Sequence, residues 1–391
     1  MCKINLLLII MSYLKIFFLM LCMILVSCTG QKTGKENDNN DKIAIEVGEI
    51  KFPPQDVLQL KSYYLSSSVH VDSIDYLIGY NYRLHSLDCM NLKSKSVTQI
   101  VLPGDGPDAI VRLSGIYAQS LDSVWISDES ERAFLIDSVG TIKRMIDLKK
   151  YLEDQEQLLI NTNYAMFTSH LFYNASRHSL MFLVKHTPSN TFIVKEVFID
   201  EVGKMATYQL SSSKVVPDMS KGYAYINFPN VNFVGENIVY NYPVESSIYM
   251  LDIRTNERKY ILADSHYTSN IIEKCTTSGD YATLEKHWLE NSHFYDIMYL
   301  PKYKIYARLH ADKVDFDEKK GMEKLINERD LYLMLFDENM EKIGETKLSN
   351  CRYSPFTSWN ATYGGIALFV DNVLDEKNNT DDLTIDIISL K

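Results

Sequence analysis

The sequence predicts an all-β protein, a six-bladed β-propeller closed by an N-terminal strand. The main evidence is a repeat, in which an apolar run reaches an Asp that is usually followed by a short polar turn and a second alternating run. The six copies end at Asp88, Asp137, Asp200, Asp252, Asp337 and Asp386. Most of the intervals between successive Asp residues are about fifty residues long, which is typical of propeller blades. The last copy lies at the end of the chain, so we expect the N-terminus to supply its missing strand.

The composition favours one large β domain. The chain of 391 residues contains 26 Tyr and 16 Phe against 10 Pro, and 46% of its residues are hydrophobic. Aromatic residues favour packed strands, and a propeller uses such a length as a single domain. Trp125 and Trp359 are expected to pack in the core. The formal net charge of −11 argues against a nucleic-acid partner, because basic residues hold such partners by their phosphates.

The first 27 residues are predicted to be a lipoprotein signal peptide. Lys15 precedes an apolar run, residues 16–26, that is too short to span a bilayer as a helix. The run leads into Leu25-Val26-Ser27-Cys28, which matches the lipobox, in which the Cys is acylated and everything before it is removed. Residues 28–42 then form a lipidated tether, because they are largely polar and lack a packed core. The propeller itself is predicted to span residues 43–391.

Acylation of Cys28 would anchor the protein in a membrane of the bacterial cell envelope, the outer membrane being the expected one. Two or three acyl chains are enough for stable anchoring, whereas one chain is marginal. An uncleaved N-terminal anchor is the alternative interpretation of the same segment. Translation from Met11 instead of Met1 would place Lys15 in the positive region that precedes the apolar run.

The first four blades follow from alternating apolar runs that are separated by turns. The second blade is the clearest, because its outer hairpin closes around Gly140, a residue that tolerates a positive φ. The predicted strands are 74–80, 84–88 and 97–102 in blade one, 110–118, 122–128, 132–137 and 141–148 in blade two, 179–185, 192–200 and 204–210 in blade three, and 237–242, 248–252 and 258–262 in blade four.

The fifth repeat is longer than the others, and the sixth is incomplete. Predicted strands lie at 281–289, 296–300, 305–310, 331–337 and 342–348 in the fifth repeat and at 365–370 and 383–390 in the sixth. The charged segment 312–329 predicts a helical excursion. Splitting the fifth repeat would give seven blades, which is the alternative count. The strand that completes the sixth blade is either 43–52, which we favour, or 57–66.

Three features together resemble a known group of proteins. They are the lipobox, the Asp-marked blades and the blade joint Leu102–Asp108, which reads LPGDGPD. With them, the chain resembles the six-bladed β-propeller lipoproteins of Bacteroidota. Residues 295–299 and 304–308 are similar to one uncharacterised branch of that group. The resemblance covers nearly the whole mature chain and implies the fold and an envelope location, but no reaction, because that branch has none assigned.

His287, Trp288 and Arg308 are the predicted ligand-binding residues. His287 and Trp288, with His293 and Tyr295 close by, form the densest cluster of aromatic and imidazole side chains. Such a cluster could stack a sugar or another flat ligand at the mouth of the channel. Arg308 closes a strand and could bind an anionic group bidentately. The alternatives are edge packing for the cluster and a structural ion pair for Arg308.

Ser73, Ser123 and Ser138 are candidate O-glycosylation sites. Each follows an Asp and precedes an apolar residue, a short pattern that envelope proteins of this bacterial group use for that modification. Simple turn chemistry explains the same pattern, since Asp and Ser both favour turns before a strand.

The sequence indicates no metal site, no cofactor and no catalytic constellation. Cys89, Cys275 and Cys351 have no zinc-ligand spacing; Cys89 is expected to be a buried thiol, and a disulfide between the other two is left open. The acidic turn 375–382 fits no known calcium loop. No nucleophile elbow of the Gly-x-Ser-x-Gly type is present.

The function that these features favour is a non-enzymatic binding module at the cell envelope. Its loop face and channel mouth would bind a glycan, a peptide or a partner protein. The alternative is a carbohydrate-active hydrolase or lyase that uses acids at the channel mouth, His287 and Arg308. The residues that face the channel discriminate between the two. Two carboxylates, or a His, Arg and Tyr group, within reach of one sugar would favour the enzyme, whereas a ring of mixed Tyr, Ser and Asn would favour binding.

Overall fold

Six antiparallel sheets make up the computed structural model of the protein, one for each predicted blade. The structure describes residues 44–53, 60–159, 171–214, 228–275, 280–355, 359–377 and 381–391. All of them fall within one compact unit, Asp41–Lys391. The signal peptide, Cys28 and the tether lie outside the described residues.

The strands follow the chain from blade to blade. The first strand, β1 (Ile45–Phe52), belongs to the last blade. Blade one contains β2 (Ser66–Val71), β3 (Ile74–Asn81), β4 (Ser86–Asn91) and β5 (Val97–Val101), and blade two contains β6 (Leu113–Ser120), β7 (Ser123–Asp128), β8 (Arg132–Ile136) and β9 (Ile142–Asp147). In blade three, β10 (Glu156–Leu158) and β11 (Leu171–Asn174) both pair with β12 (Ser179–His186), which is followed by β13 (Thr191–Phe198) and β14 (Met205–Gln209).

The remaining blades continue the same order. Blade four contains β15 (Asn230–Val234), β16 (Asn237–Asn241), β17 (Ile248–Asp252) and β18 (Arg258–Ile261), and blade five contains β19 (His293–Leu300), β20 (Ile305–Ala311), β21 (Leu331–Phe336) and β22 (Lys342–Lys347). Blade six contains β23 (Trp359–Ala361), β24 (Ile366–Phe369), β25 (Leu383–Leu390) and β1. The described helices are a 3₁₀ helix at Leu148–Tyr151, α1 (Tyr281–Leu289) and α2 (Met322–Asn327). None of these described helices is long and apolar enough to cross a membrane.

The predicted closure of the ring by an N-terminal strand is confirmed. Strand β1 pairs antiparallel with β25 along its whole length, from Ile45 opposite Leu390 to Phe52 opposite Leu383. The choice of residues 43–52 as the closing strand was therefore right. The alternative count of seven blades is wrong, because residues 293–347 form one four-stranded sheet.

Arg352 fixes the closing strand to the rest of blade six. Its Nη2 donates to Glu49 Oε2 on β1 at 2.8 Å, and its Nε and Nη2 donate to the two oxygens of Asp386 on β25 at 2.5 and 2.8 Å. The Tyr353 hydroxyl donates to Asp386 Oδ2 at 2.7 Å. Asp386 is fully buried, so the guanidinium supplies the charge partner that a buried carboxylate requires.

The apolar core lies between neighbouring blades, and each blade contributes to two parts of it. In β21, for example, every residue is buried. Leu333 packs in one cluster with Leu368 of blade six, whereas the next residue, Met334, packs in another with Val239 of blade four. Successive side chains of a strand point to opposite faces, and here both faces are covered. The central strands therefore read as continuous apolar runs.

The Asp repeat has two physical causes. Asp137, Asp252 and Asp337 lie at the turn between the third and fourth strands, where Oδ1 of each accepts backbone N–H bonds from the residues that follow. Such side-chain bonds favour turns. Asp88 and Asp386 instead lie within third strands and are buried. The blade count was right, although the six Asp residues are not structurally equivalent.

The prediction of a strand at residues 281–289 is wrong, because this segment forms helix α1. It contains Ala, Leu, Glu and Lys, which are good helix formers, and neither Gly nor Pro. The inner strand of blade five is β19, which begins at His293. The predicted helical excursion is confirmed, since α2 lies within 312–329.

The closing strand predicts a test of stability. A chain that begins at residue 53 loses β1, including the fully buried Phe52, and leaves β25 as an open edge. We expect its melting temperature to fall by about 10 °C relative to a control chain that begins at residue 44, since losing a buried Phe alone costs about 3–5 kcal/mol. Differential scanning calorimetry measures the difference, and equal melting temperatures would contradict the assigned closure.

Candidate functional site

A central cavity of about 640 Å³ lies where the inner strands of all six blades meet. The lining residues include members of every inner strand and of the turns beside them. They are Tyr64 to Ser68, Ile116, Tyr117, Phe172 to Ser176, Met181, Asn232 to Glu236, Asp296, Met298, Tyr299, Pro301 and Trp359 to Ala361. Ligand sites in proteins commonly have volumes of about 300–1,000 Å³. The cavity is therefore the candidate functional site.

The walls of the central cavity are held together by side-chain hydrogen bonds between neighbouring inner strands. Asn360 Nδ2 donates to Ser66 Oγ at 2.7 Å, joining blades six and one. The backbone N–H of Ala118 donates to Ser67 Oγ at 3.0 Å, joining blades one and two. Asn232 Nδ2 donates to the carbonyl of Ile297 at 3.0 Å, joining blades four and five. These bonds fix the spacing of the strands that surround the cavity.

Aromatic side chains form much of the lining. Seven of the lining residues are aromatic: Tyr64, Tyr117, Phe172, Tyr173, Phe233, Tyr299 and Trp359. Phe172 and Phe233 meet across the joint of blades three and four, with ring centroids 4.4 Å apart. Among the other lining residues, Ser and Asn supply hydroxyl and amide groups. The ring is thus a mixture of Tyr, Ser and Asn, the composition that was expected to favour binding.

Asp296 is the acidic residue in the wall of blade five. The pairing of β19 with β20 shifts between Phe294 and Ile297, so Tyr295 and Asp296 form a β-bulge. Bulges re-aim side chains and often occur beside functional sites. Asp296 is 2% exposed, and its Oδ1 accepts a hydrogen bond from Trp359 Nε1 at 2.7 Å. Burial raises the pKa of the Asp296 carboxyl to about 7, and the bond from Trp359 opposes the shift only in part.

Glu236 is the second acid of the lining. It follows the end of β15, in the turn to β16, and its Oε1 accepts a hydrogen bond from Ser176 Oγ of the neighbouring blade three at 2.9 Å. Asp296 is instead bonded to Trp359 of blade six. The two acids of the lining therefore have separate hydrogen-bond partners in different blades.

His287 and Trp288, predicted to bind a ligand, lie in helix α1 and do not line the central cavity. His287 Nε2 is 2.6 Å from the carbonyl oxygen of Glu273. Trp288 is buried in an apolar cluster with Leu289 and Leu325, and the guanidinium of Arg329 lies 4.8 Å from the centre of its ring. These contacts are those of edge packing, the alternative that the sequence left open.

Arg308 is fully buried at the joint of blades four and five. Its Nη1 and Nη2 donate to the carbonyls of Ser246 and Ala263 at 2.6 and 3.0 Å, and its guanidinium lies over the ring of Phe294 at 4.7 Å. Burial lowers the pKa of Arg308 to about 9. Arg308 therefore connects blade five to blade four through hydrogen bonds to backbone carbonyls. Ligand binding by Arg308, His287 and Trp288 stays a prediction.

The other predicted sites lie on the outside of the propeller or in its core. Ser73 and Ser138 are exposed and Ser123 is half-buried at the start of β7, so their glycosylation stays a prediction. Cys89 is a buried thiol, and burial raises its pKa to about 12. Cys351 is a free thiol, so no disulfide joins it to Cys275. No group of three or more His, Cys, Asp or Glu that could hold a metal ion occurs in the described ranges.

The residues of the central cavity were not predicted from the sequence. Trp125 packs in the core as expected, with its ring 6.0 Å from that of Tyr173. Trp359, assigned to the core as well, is buried but also lines the cavity. The available signal was the short polar pattern of the inner strands, such as SSSVHV in β2 and NVNFV in β15. Three successive Ser residues begin β2, and Asn alternates with apolar residues at the start of β15, in a chain that is otherwise rich in apolar runs.

The fold and the cavity define the class of protein as a six-bladed β-propeller with a central cavity large enough for a ligand. The chain belongs to the DUF4221 family, a domain of unknown function, which matches residues 36–347. The predicted resemblance to an uncharacterised branch of Bacteroidota propeller proteins is confirmed.

The fold is similar to that of solved structures from two Bacteroides species. A DUF4221 member from Bacteroides vulgatus has a TM-score of 0.74 at 14% identity, over 90% of this chain and 99% of that chain. A proposed exported protein from Bacteroides fragilis has a TM-score of 0.53 at 13% identity, over 90% of this chain and 97% of that chain. No curated protein matches the chain. At these identities the two structures show the fold alone.

The raised pKa of Asp296 predicts how stability depends on pH. The unfolded carboxyl loses its proton near its ordinary pKa of 3.8, whereas the folded one keeps it until about pH 7. The folded state therefore binds more protons between these values, and its stability falls as the pH rises through that range. An Asp296→Asn variant stays neutral and keeps an acceptor for Trp359. We therefore expect its stability not to fall in this way as the pH rises.

Chemical denaturation at pH 5.5 and pH 8.5 measures the effect. The free energy of unfolding of the wild type should fall by about 2 kcal/mol more than that of Asp296→Asn between the two values. The exposed Asp105 provides the control, since Asp105→Asn should follow the wild type. If the free energies of unfolding of the wild type and Asp296→Asn change equally between the two pH values, Asp296 is ionised at both, which would contradict the prediction.

Proposed function

We propose that this protein is a non-enzymatic binding module of the bacterial cell envelope that takes a compact polar ligand in its central cavity. The observation that carries the proposal is the ring of Tyr, Ser and Asn side chains contributed by all six inner strands. Rigid aromatic side chains supply contact area, and hydroxyl and amide groups supply hydrogen bonds that orient a ligand. A sugar or a short peptide has the matching surface.

The rigidity of the cavity wall supports binding without a large rearrangement. Ser68 Oγ donates to the carbonyl of Ala361 at 2.5 Å, and Asn230 Nδ2 donates to the carbonyl of Phe294 at 3.0 Å. Such bonds hold the strands at a fixed separation before a ligand arrives. A preorganised site loses less conformational entropy on binding, which raises the affinity.

The alternative function, a carbohydrate-active hydrolase or lyase, has less support from the geometry. Asp296 is bonded to Trp359, and Glu236 is bonded to Ser176, so each acid already has a separate partner in the wall. His287 and Arg308, the other residues proposed for that chemistry, have backbone carbonyl partners outside the cavity. Fold alone decides nothing about activity, so this comparison rests on the residues.

A binding assay with matched variants tests the proposed site. The probes are an array of immobilised neutral and amino-bearing glycans and short peptides, screened with residues 44–391. Ala175 is exposed and lines the cavity, so Ala175→Trp should narrow it and weaken binding at least about tenfold. Ala282→Trp makes the same change on the exposed side of α1 and should leave the affinity within a factor of two.

His287→Gln distinguishes the central cavity from the site predicted on α1. It should leave the affinity within a factor of two if the ligand lies in the cavity. Binding that survives Ala175→Trp but is lost in His287→Gln would place the ligand at α1 and contradict our proposal. Turnover of a bound glycan, or an array on which nothing binds, would contradict it as well.

The envelope location is proposed from the N-terminal sequence. The lipobox at Cys28, the polar tether after it and the exported character proposed for the Bacteroides fragilis relative all support an acylated protein held at a membrane. A lipid anchor followed by a tether would keep the propeller mobile above the membrane surface.

Mutation of Cys28 tests the anchor. We expect Cys28→Ala, expressed in a Bacteroidota host, to lose the mass of the acyl groups and to move from the membrane fraction to the soluble fraction. Intact-mass analysis and fractionation measure both properties, with Cys89→Ala as the control for loss of a cysteine elsewhere. An unchanged mass together with unchanged membrane partition would refute the acylation of Cys28.

A further inference from the structure

The ionisable side chains that line the central cavity are acidic in the part of the chain that the structure describes. Among the lining residues that the structure describes, Asp296 and Glu236 are acidic, and none is Lys, Arg or His. The chain as a whole also carries a formal net charge of −11. A concave site lined by one sign of charge concentrates ligands of the opposite sign. An anionic ligand would find no charge partner in this wall.

Glu236 has an unused acceptor in the wall. Its Oε1 accepts the bond from Ser176 Oγ, but its Oε2 is buried and has no hydrogen-bond partner. Leaving a buried acceptor unpaired costs free energy, more so when the group is charged. A ligand that brings a positive charge or an N–H donor to this oxygen would recover that cost.

The aromatic lining suits the same kind of ligand. The seven aromatic lining residues are distributed over the walls of all six blades and lie in the same lining as the two acids. Aromatic faces attract organic cations, and the attraction is stronger when the cation is desolvated. Met181 and Met298 add polarisable sulfur atoms to the same lining.

We propose that the central cavity selects a ligand that carries an organic ammonium group, which the aromatic side chains surround and the Glu236 carboxylate neutralises. This inference rests on the proposed binding function and names the chemistry of its ligand. A neutral sugar would form hydrogen bonds with the Ser and Asn groups but would not pair with the acidic groups of the wall. A ligand with an ammonium group would contact both the polar and the acidic groups.

A pair of isosteric probes tests the charge alone. Choline and 3,3-dimethylbutan-1-ol have nearly the same shape, but only choline is positively charged, and its charge does not depend on pH. We expect choline to bind residues 44–391 at least about tenfold more tightly than its neutral isostere in isothermal titration calorimetry. Equal affinities would show that the cavity recognises shape only, and the proposal would then fall.

Variants of the lining identify the site. Glu236→Gln keeps the size of the side chain and should weaken choline about fivefold or more, with little change for 3,3-dimethylbutan-1-ol. Glu257→Gln, at an exposed position outside the cavity, should leave both affinities within a factor of two. Ala175→Trp should weaken both probes, because it narrows the cavity itself. Choline binding that survives both Glu236→Gln and Ala175→Trp would place the cation elsewhere and overturn the proposal.

D-glucose and D-glucuronate separate failure of this inference from failure of the proposed function. If D-glucose binds in an Ala175→Trp-sensitive way and choline does not, the cavity is a binding site for neutral ligands and the ammonium proposal is wrong. Binding of D-glucuronate at an affinity equal to that of D-glucose would likewise refute selection by charge. If none of the four probes binds, the ammonium proposal is overturned, and the array experiment alone then decides the proposed function.

Discussion

Both faces of every blade are apolar, and this constraint governs the rest of the structure. In β21 alternate residues pack against blades four and six, so neither face can be left to solvent. An open row of such sheets would expose an apolar face at each end. Closing the row into a ring removes both ends at once. Strand β1 completes that closure, because its pairing with β25 ties the two ends of the chain into one sheet.

The inner strands are the exception to the apolar pattern, and the exception creates the cavity. The inner edge of each blade has no further strand beside it, so its polar groups need other partners. Asn232 and Ser68 supply them, donating across the joints to the backbone carbonyls of Ile297 and Ala361. The residues that satisfy the backbone at the centre of the ring are therefore also residues that a ligand would meet. The same side chains therefore stabilise the ring of blades and line the proposed binding site.

Local patterns predicted the outer parts of the blades, and tertiary pairing determined the inner parts. The turn at Asp252 is local, because its carboxylate accepts the N–H groups of Arg254 and Thr255, and such a turn is visible in sequence. Strand β23 has three residues, too few for any periodicity to appear. The bulge that aims Asp296 into the cavity exists only through the register of β19 on β20. No sequence pattern within β19 itself predicts this bulge.

The residues that were chosen from the sequence as ligand-binding residues have distinctive chemistry. In the structure they are buried and contact other parts of the protein instead. Arg308 has the donors that an anion would require, yet they bind the carbonyls of Ser246 and Ala263. A guanidinium presents a rigid fork of donors, which suits two carbonyls as well as it suits a carboxylate. Sequence alone does not tell these partners apart, because the carbonyls come from residues about sixty and forty-five positions away.

The seam between blades six and one connects ring closure to the cavity. Asn360 and Ser66, which are 294 residues apart in the chain, are bonded there, and Asp75 accepts the N–H groups of Tyr363 and Gly364 close by. Only a closed ring brings these residues together. The sixth wall of the cavity therefore depends on the pairing of β1 with β25, although β1 itself contributes no residue to the lining. A ligand held by all six walls would bind the closed ring in preference to an open one and would stabilise it by mass action.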